Sequence, residues 1–171
     1  MLSFDLVNFH DAGVDALAPR LGYKKIFKSG VDVEISARGV GDWAKRSKLI
    51  TNGGQETDAK ALKQNGVIGV LPQGMTVTRK VLDIAKDEEK PIIIPMGAVT
   101  NTQAGARIQE LSKMRKLVRS VLMADAPFAL VSLADGKELM MSSLQMLEMA
   151  GFLSIDMARA KTAMGRMGEL I

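Results

Sequence analysis

The chain has 171 residues with one histidine, no cysteine and a formal net charge of +4 at pH 7. This length predicts a single domain over residues 1–171 that folds without a disulfide or a metal, and the missing residue types disfavour metal sites and nucleophilic catalysis. The chain shows neither an apolar run as long as a membrane span nor a signal-peptide pattern, so we expect a cytoplasmic protein.

Short apolar runs alternate with amphipathic helical stretches in the first half of the chain. Alternating or continuous apolar residues predict strands at residues 2–9, 23–27, 31–37, 48–51 and 67–71. Apolar residues at helical spacing predict helices at residues 14–21, around Trp43, and at 55–63. Gly22 ends the first of these helices, and the Gly53-Gly54 turn precedes the last.

The alternation continues to the end of the chain. The predicted elements are a helix at 76–86, a strand at 91–96, a long helix from about 102 to 123, a strand at 128–133, helices at 137–149 and 155–164, and a short strand at 169–171. Such alternation predicts an α/β fold with parallel strands. No glycine-rich nucleotide motif follows the first strand, which favours a compact (β/α) TIM-barrel-like domain over an open sheet.

Functional groups of a parallel barrel lie at the carboxyl ends of its strands. The polar residues predicted there are Asn8, His10, Asp11, Arg38, Thr51, Asn52, Gln73, Ser132 and Asp135. A hydrolytic metal site needs several converging ligands, which one histidine and few carboxylates do not supply. We therefore predict no catalytic or metal-binding residue and interpret His10 as structural. The Gly53-Gly54 turn either offers backbone N–H groups to a phosphate or is only a turn.

Positive charge is concentrated in two segments. Residues 20–50 carry Arg20, Lys24, Lys25, Lys28, Arg38, Lys45, Arg46 and Lys48, and residues 107–119 carry Arg107, Lys113, Arg115, Lys116 and Arg119. Two basic clusters on one small domain favour a phosphate-backbone partner, and the alternative is that both are ordinary solvated faces.

In the predicted long helix, the apolar stripe consists of Ile108, Leu111, Met114, Val118, Val121 and Leu122. Arg107 falls on the side of this stripe, where it either reaches solvent or contacts a phosphate.

The helix predicted at 137–149 is apolar in almost every direction around its axis. Either the terminal helix buries it, or it displays a methionine-rich surface to a protein partner. Met140, Met141 and Leu144 are the candidate partner-binding residues.

Several segments occur in the order expected of one known family. They are FDLV at 4–7, LGY at 21–23, LITNGGQ at 49–55, GVIGVLP at 66–72, RKVL at 79–82, III at 92–94, Arg107 with LV at 117–118, ALVS at 129–132 and IDMARAK at 155–161. In these segments the chain resembles the archaeal thirty-kilodalton protein subunit family of ribonuclease P, protein component 3.

The resemblance implies a barrel related to the polymerase and histidinol phosphatase hydrolases. It also implies that the protein binds and stabilises a catalytic RNA that removes 5′ leaders from precursor tRNA, so the chemistry and its magnesium belong to the RNA and this chain holds no cofactor. A second small ribonuclease P protein is the implied partner, as a heterotetramer. The candidate RNA-binding residues are Lys45, Arg46, Lys48, Arg79, Arg107, Arg115, Lys116 and Arg119.

The chain departs from the family pattern at several positions. Asn52 stands where a histidine is usual, Gln55 where an acidic residue is usual, Ala98 roughly where an arginine is usual, and Met140, Met141 and Ser143 where basic residues are usual. Arg107 is the functional arginine that transfers directly, and the RNA contact could lie instead on residues 20–50. Two other functions stay open: a small barrel enzyme acting on a phosphorylated metabolite, with Gly53-Gly54 as its phosphate site, and a protein-binding scaffold.

Overall fold

The computed structural model describes residues 3–11, 13–36, 48–100 and 102–171. Within these residues the strands are β1 (Phe4–Val7), β2 (Lys25–Lys28), β3 (Glu34–Ser36), β4 (Leu49–Thr51), β5 (Val67–Val70), β6 (Ile92–Pro95) and β7 (Phe128–Val131). The α-helices are α1 (Val14–Leu21), α2 (Gln55–Ala61), α3 (Arg79–Asp87), α4 (Arg107–Ala124), α5 (Ser143–Phe152) and α6 (Met157–Leu170).

All paired strands are parallel, and they form two sheets. One sheet has the order β3-β4-β5-β6-β7, and the other consists of β1 and β2. The sheets meet where the Leu133 N–H donates to the Leu6 carbonyl (2.8 Å) and the Asn8 N–H donates to the Ala134 carbonyl (2.9 Å). The predicted α/β fold with parallel strands is confirmed, whereas a closed TIM barrel is not shown, because the strand pairing is not continuous around a ring.

Two apolar clusters hold the strands and helices together. Alternate residues of β1, β2, β4, β6 and β7 form the inner cluster, which includes Leu6, Phe27, Ile50, Ile93 and Val131. The other side chains of the strands point outward and pack against the helices in the outer cluster. This two-sided burial follows from the period of two along a strand and explains why the strands are apolar on both faces.

Helix α6 crosses the amino ends of the strands. Its Met167 belongs to the inner cluster, and Gly168 lies so close to the Phe4 ring that an added Cβ would be 2.2 Å from it. The Lys48 ammonium, just before β4, donates to the carbonyls of Leu170 and Ile171. The strand predicted at 169–171 is therefore wrong, because burial of Met167 keeps this segment helical up to Leu170.

The helix predicted at 137–149 is also wrong in its bounds. Lys137–Leu139 form a 3-10 turn, and α5 begins only at Ser143. Ser142 accepts the Gln145 N–H and its own N–H donates to the Gln145 side chain, which is a capping box that fixes this start. The helix expected around Trp43 lies outside the described residues. None of the described helices is both long and apolar enough to cross a bilayer.

Candidate nucleic-acid interface

The polar side chains at the carboxyl ends of the strands are largely paired with one another. Asn8 Nδ2 donates to Asp135 Oδ1 at 3.0 Å, and Lys137 Nζ lies 2.7 Å from Asp11 Oδ1. The bond from Lys137 holds the pKa of Asp11 below its usual range. His10 lies against Gly30, with its Nε2 3.4 Å from the position of an added Cβ. This edge therefore carries internal polar pairs.

Two of the polar residues predicted at this edge are buried and serve the fold. Thr51 Oγ1 donates to Asp58 Oδ1 at 2.7 Å, and Ser132 Oγ donates to Asp5 Oδ2 at 2.5 Å. All four side chains are buried. Burial raises the pKa of Asp5 to about 6. Among the described residues, no group of three or more His, Cys, Asp or Glu side chains could hold a metal ion.

The Gly53-Gly54 turn binds an acidic side chain of its own chain. The Gly53 N–H donates to Asp58 Oδ1 at 2.9 Å, and Gly54 has a φ of 84°, which favours glycine. The Asp58 carboxyl group already accepts the Gly53 N–H, so this N–H is not free to bind a phosphate. The helix that follows, α2, has only 7 residues. This geometry weighs against the phosphate-site interpretation of the turn.

A basic surface lies along α4. Its buried side consists of Met114, Leu117, Val118, Val121 and Ala124. Lys116 and Arg119 lie on the opposite side, are exposed, and form no ion pair with any residue that the structure describes. At a rise of about 1.5 Å per residue, the basic residues from Lys113 to Arg119 span about 9 Å along the helix axis. A surface of this length suits contacts with neighbouring phosphates of one nucleic-acid backbone.

Three other cations of α4 have partners within the chain. Lys113 Nζ lies 2.6 Å from Glu110 Oε1, Arg107 Nε donates to the Thr102 carbonyl at 3.0 Å, and the Arg115 guanidinium lies 4.4 Å from the centre of the Phe152 ring. Arg107 is exposed at the start of α4, where helices following parallel strands begin at the carboxyl edge of the sheet. The bond to Thr102 uses its Nε, and its terminal amino groups form no hydrogen bond with any residue that the structure describes.

The remaining candidate RNA-binding residues do not share one surface. Arg79 begins α3 at the carboxyl edge and pairs with Asp83 at 2.8 Å. Lys48 lies at the opposite, amino edge and is bound to the carbonyls of Leu170 and Ile171. Lys45 and Arg46 lie outside the described residues. The candidates that lie next to one another are therefore Arg115, Lys116 and Arg119 on α4, whereas Arg107 lies apart from them at the first turn of this helix.

The predicted partner-binding residues differ in how far their side chains are exposed. Met141 is buried, at 6% exposure, whereas Leu144 is 64% exposed. Met140 is half-buried against the outer cluster. Because Met140 and Met141 precede α5, they do not lie on the helical surface that the sequence predicted. The assignment of Met140, Met141 and Leu144 to a partner surface stays a prediction.

The apolar stripe predicted for the long helix is wrong at one position. Ile108 is 79% exposed, whereas Leu117, which the predicted stripe did not include, is buried. The structural reason is that α4 begins at Arg107 after a 3-10 turn at Ala104–Ala106, so its first turn projects beyond the core.

Sequence reasoning missed the two buried carboxylates, Asp5 and Asp58. The signal for Asp5 was an acidic residue inside the apolar strand at 4–7. Buried carboxylates need several donors, and Ser132, Leu6, Thr51 and Gly53 supply them. Ser132, which supplies two of the donors to Asp5, lies 127 residues away in the chain and could not be paired with it from the sequence alone.

Comparison with known proteins shows a shared fold. A chain in the cryo-EM structure of archaeal ribonuclease P with mature tRNA superimposes with a TM-score of 0.62 over 98% of this chain and 89% of that chain, at 12% sequence identity. No protein-family model matches the chain. No curated protein sequence matches it either.

Proposed function

We propose that this chain is a protein subunit of a ribonuclease P ribonucleoprotein, similar to protein component 3. In this role it binds and stabilises the catalytic RNA that removes 5′ leaders from precursor tRNA. The observation that carries the proposal is the fold shared over 98% of the chain with a protein of archaeal ribonuclease P bound to mature tRNA.

The charge distribution supports the RNA-binding part of the proposal. Lys116 and Arg119 are exposed on α4, and Arg107 is exposed at its first turn. Binding is electrostatic, because the chain has only one tryptophan, one tyrosine and five phenylalanines for stacking on bases. The buried Tyr23 and Phe27 further reduce that number.

The alternative of a small barrel enzyme finds less support. The Gly53 N–H is already bound by Asp58, and the Asn8–Asp135 and Asp11–Lys137 pairs leave no converging acid and base at the carboxyl edge of the described sheet. Cleavage of the tRNA precursor is accordingly assigned to the RNA and its magnesium. The described residues supply no carboxylate cluster that would fit this ion.

Further parts of the proposal concern the whole particle. The two sheets, joined at β1 and β7, belong to one barrel-like domain over residues 1–171. The chain works in the cytoplasm beside a second small ribonuclease P protein, in a heterotetramer. The hydrogen bonds of Leu133 and Asn8 across the two sheets support the barrel-like arrangement.

The proposal is tested by affinity purification of the tagged chain from its native cells, with sequencing of the bound RNA. We expect ribonuclease P RNA to be enriched over total RNA. A chain carrying Lys116→Glu and Arg119→Glu is the matched control and should lose this enrichment. Recovery of proteins without any enriched RNA would favour the scaffold, and recovery of a phosphorylated metabolite would favour the enzyme.

A further inference from the structure

An apolar groove separates α4 from α5. It has a volume of about 700 Å³ and opens to solvent. The apolar residues that line it are Val99, Leu111, Leu139, Met140, Met141, Met149 and Phe152. Helix α5 packs closely against α6 and not against α4, so none of the described helices covers the side of α5 that faces α4.

Large apolar side chains extend this surface beyond the groove. Phe152 is 54% exposed, Leu144 is 64% exposed and Ile108 is 79% exposed. Ile108 precedes Leu111 by three residues on α4, and Leu144 precedes Glu148 by four residues on α5, so both adjoin groove residues on their helix faces. Exposure of a contiguous apolar surface has a free-energy cost that a bound partner would remove.

The charge of the groove differs from that of the rest of the chain. Two carboxylates, Glu138 and Glu148, line it, and neither forms an ion pair within the described ranges. Arg115 is the cation beside the groove, and its guanidinium lies over the Phe152 ring. A chain with a net charge of +4 thus presents an acidic apolar groove. Its carboxylates would repel RNA phosphates and attract a basic protein segment.

We propose that the groove binds a basic amphipathic helix of a partner protein. Large apolar residues at i, i+3 or i+4, and i+7 would enter between α4 and α5, and flanking lysine or arginine residues would pair with Glu138 and Glu148. The unbranched Met140 and Met149 side chains adapt to such a ligand. This inference deepens the protein-partner part of the proposed function and does not require the RNA-binding part.

The test uses displayed helical peptides of about five turns, with leucine fixed on one face and lysine or glutamate randomised on the other. The full chain selects from this library, and its Leu144→Ser/Phe152→Ser variant is the counter-selection target. We expect lysine-rich peptides to be enriched, and we expect the double variant to weaken their binding by about tenfold or more. Met123→Ser/Met157→Ser is the matched control, because both methionines are exposed outside the groove.

A second variant tests the charge preference of the groove without changing its apolar side chains. Glu138→Lys/Glu148→Lys changes only exposed side chains and should shift the selection from lysine-rich to glutamate-rich peptides. Circular dichroism establishes that each variant is folded. Three results would each overturn the proposal: no enrichment over the double variant, enrichment of glutamate-rich peptides by the wild type, or a dimer by sedimentation that Leu144→Ser/Phe152→Ser dissociates. RNA binding of Leu144→Ser/Phe152→Ser is measured in parallel. Failure of the groove proposal can then be distinguished from failure of the proposed RNA-binding function.

Discussion

The Asp5 carboxylate accepts two hydrogen bonds from Ser132, one from its N–H to Oδ1 at 2.6 Å and one from its Oγ to Oδ2 at 2.5 Å. Asp5 lies in β1 and Ser132 directly follows β7, so the pair joins the two sheets at the point where Leu133 and Leu6 also bond. Both side chains are fully buried. The Asp5 side chain thus accepts the Ser132 N–H, which a backbone carbonyl of a neighbouring strand would otherwise accept.

The first prediction is that stability falls as pH rises from about 4 to 6. Burial raises the native pKa of Asp5 from 3.8 to about 6. The native state therefore holds more protons than the unfolded state in this window, and the free energy of unfolding decreases as pH increases. A shift of this size corresponds to about 3 kcal/mol. Urea unfolding between pH 4 and 7 measures it, with Asp5→Asn as the comparison.

Asp5→Asn removes the titrating group, so the difference in unfolding free energy between wild type and variant isolates this carboxyl from the other acids. As pH rises from about 4 to 6, the wild type should lose unfolding free energy relative to Asp5→Asn. A difference that is constant from pH 4 to 7 would contradict the assignment.

The second prediction concerns Gly97, which follows β6 in the 3-10 turn Met96–Ala98. A Cβ at this position would lie 2.2 Å from the Ser132 carbonyl oxygen, a backbone atom that cannot move aside alone. Gly97→Ala should therefore lower the free energy of unfolding by about 3 kcal/mol or more. Gly105→Ala is the control, because a Cβ there meets nothing within 4 Å. Thermal unfolding of both variants measures this effect. Equal melting temperatures would refute the close approach of Gly97 to the Ser132 carbonyl.

The third prediction separates two residues that the sequence grouped together. Met141 is buried, and its carbonyl accepts the Tyr23 hydroxyl at 2.9 Å, so Met141→Glu places a charge in the core and should cost about 3 kcal/mol or more. Leu144→Glu changes an exposed side chain and should alter stability by about 0.5 kcal/mol at most. Chemical denaturation measures both. A stable, folded Met141→Glu chain would show that this residue belongs to the surface.

The fourth prediction concerns Arg107 and binding to ribonuclease P RNA. Its side chain is exposed and makes one hydrogen bond, to Thr102, so Arg107→Ala should leave the melting temperature nearly unchanged while it lowers RNA affinity. Lys86→Ala is the matched control, because it removes one charge at the end of α3, away from the start of α4. Filter binding and calorimetry give the two quantities. A large fall in melting temperature with intact RNA affinity would make Arg107 a structural residue.

The fifth prediction concerns the salt dependence of RNA binding. Lys116→Glu and Arg119→Glu together should reduce the slope of log K against log salt concentration by about two, roughly one for each lost phosphate contact. Lys60→Glu/Lys63→Glu makes the same change in charge at the end of α2 and just beyond it, and it should leave the slope nearly as it is. If both pairs change the slope equally, the attraction arises from net charge and not from the α4 surface.

We expect charge reversal at Lys45, Arg46 and Lys48, which the sequence grouped as an RNA-binding cluster, to have a smaller effect on the salt dependence of RNA binding. The structure binds Lys48 to the carbonyls of Leu170 and Ile171 at the amino edge of the strands. Reversal of Lys48 should therefore also affect the contact between α6 and β4, so its effect on RNA affinity must be read together with the melting temperature.

The sequence by itself determined the type of most described elements, and the strand expected at 169–171 was the exception. Apolar runs such as residues 92–95 and 128–131 are buried on both faces and predict parallel strands, because a strand between two apolar layers has no polar side. The helical spacing after Gly54 and before Gly22 likewise located α2 and α1, since glycine reaches the backbone conformations that these turns require. The concentration of cations at 107–119 was also evident.

Only the tertiary structure decided which of those residues act together. The roles of Asp5 and Asp58 depend on donors that the fold brings to them, and burial makes those pairings obligatory. The positions of Lys48 under α6 and of Met141 beneath Tyr23 follow from packing across the chain, which periodicity along one helix does not encode. The groove between α4 and α5 exists for the same reason: it is a space between two elements, and its acidic residues come from both the turn before α5 and α5 itself.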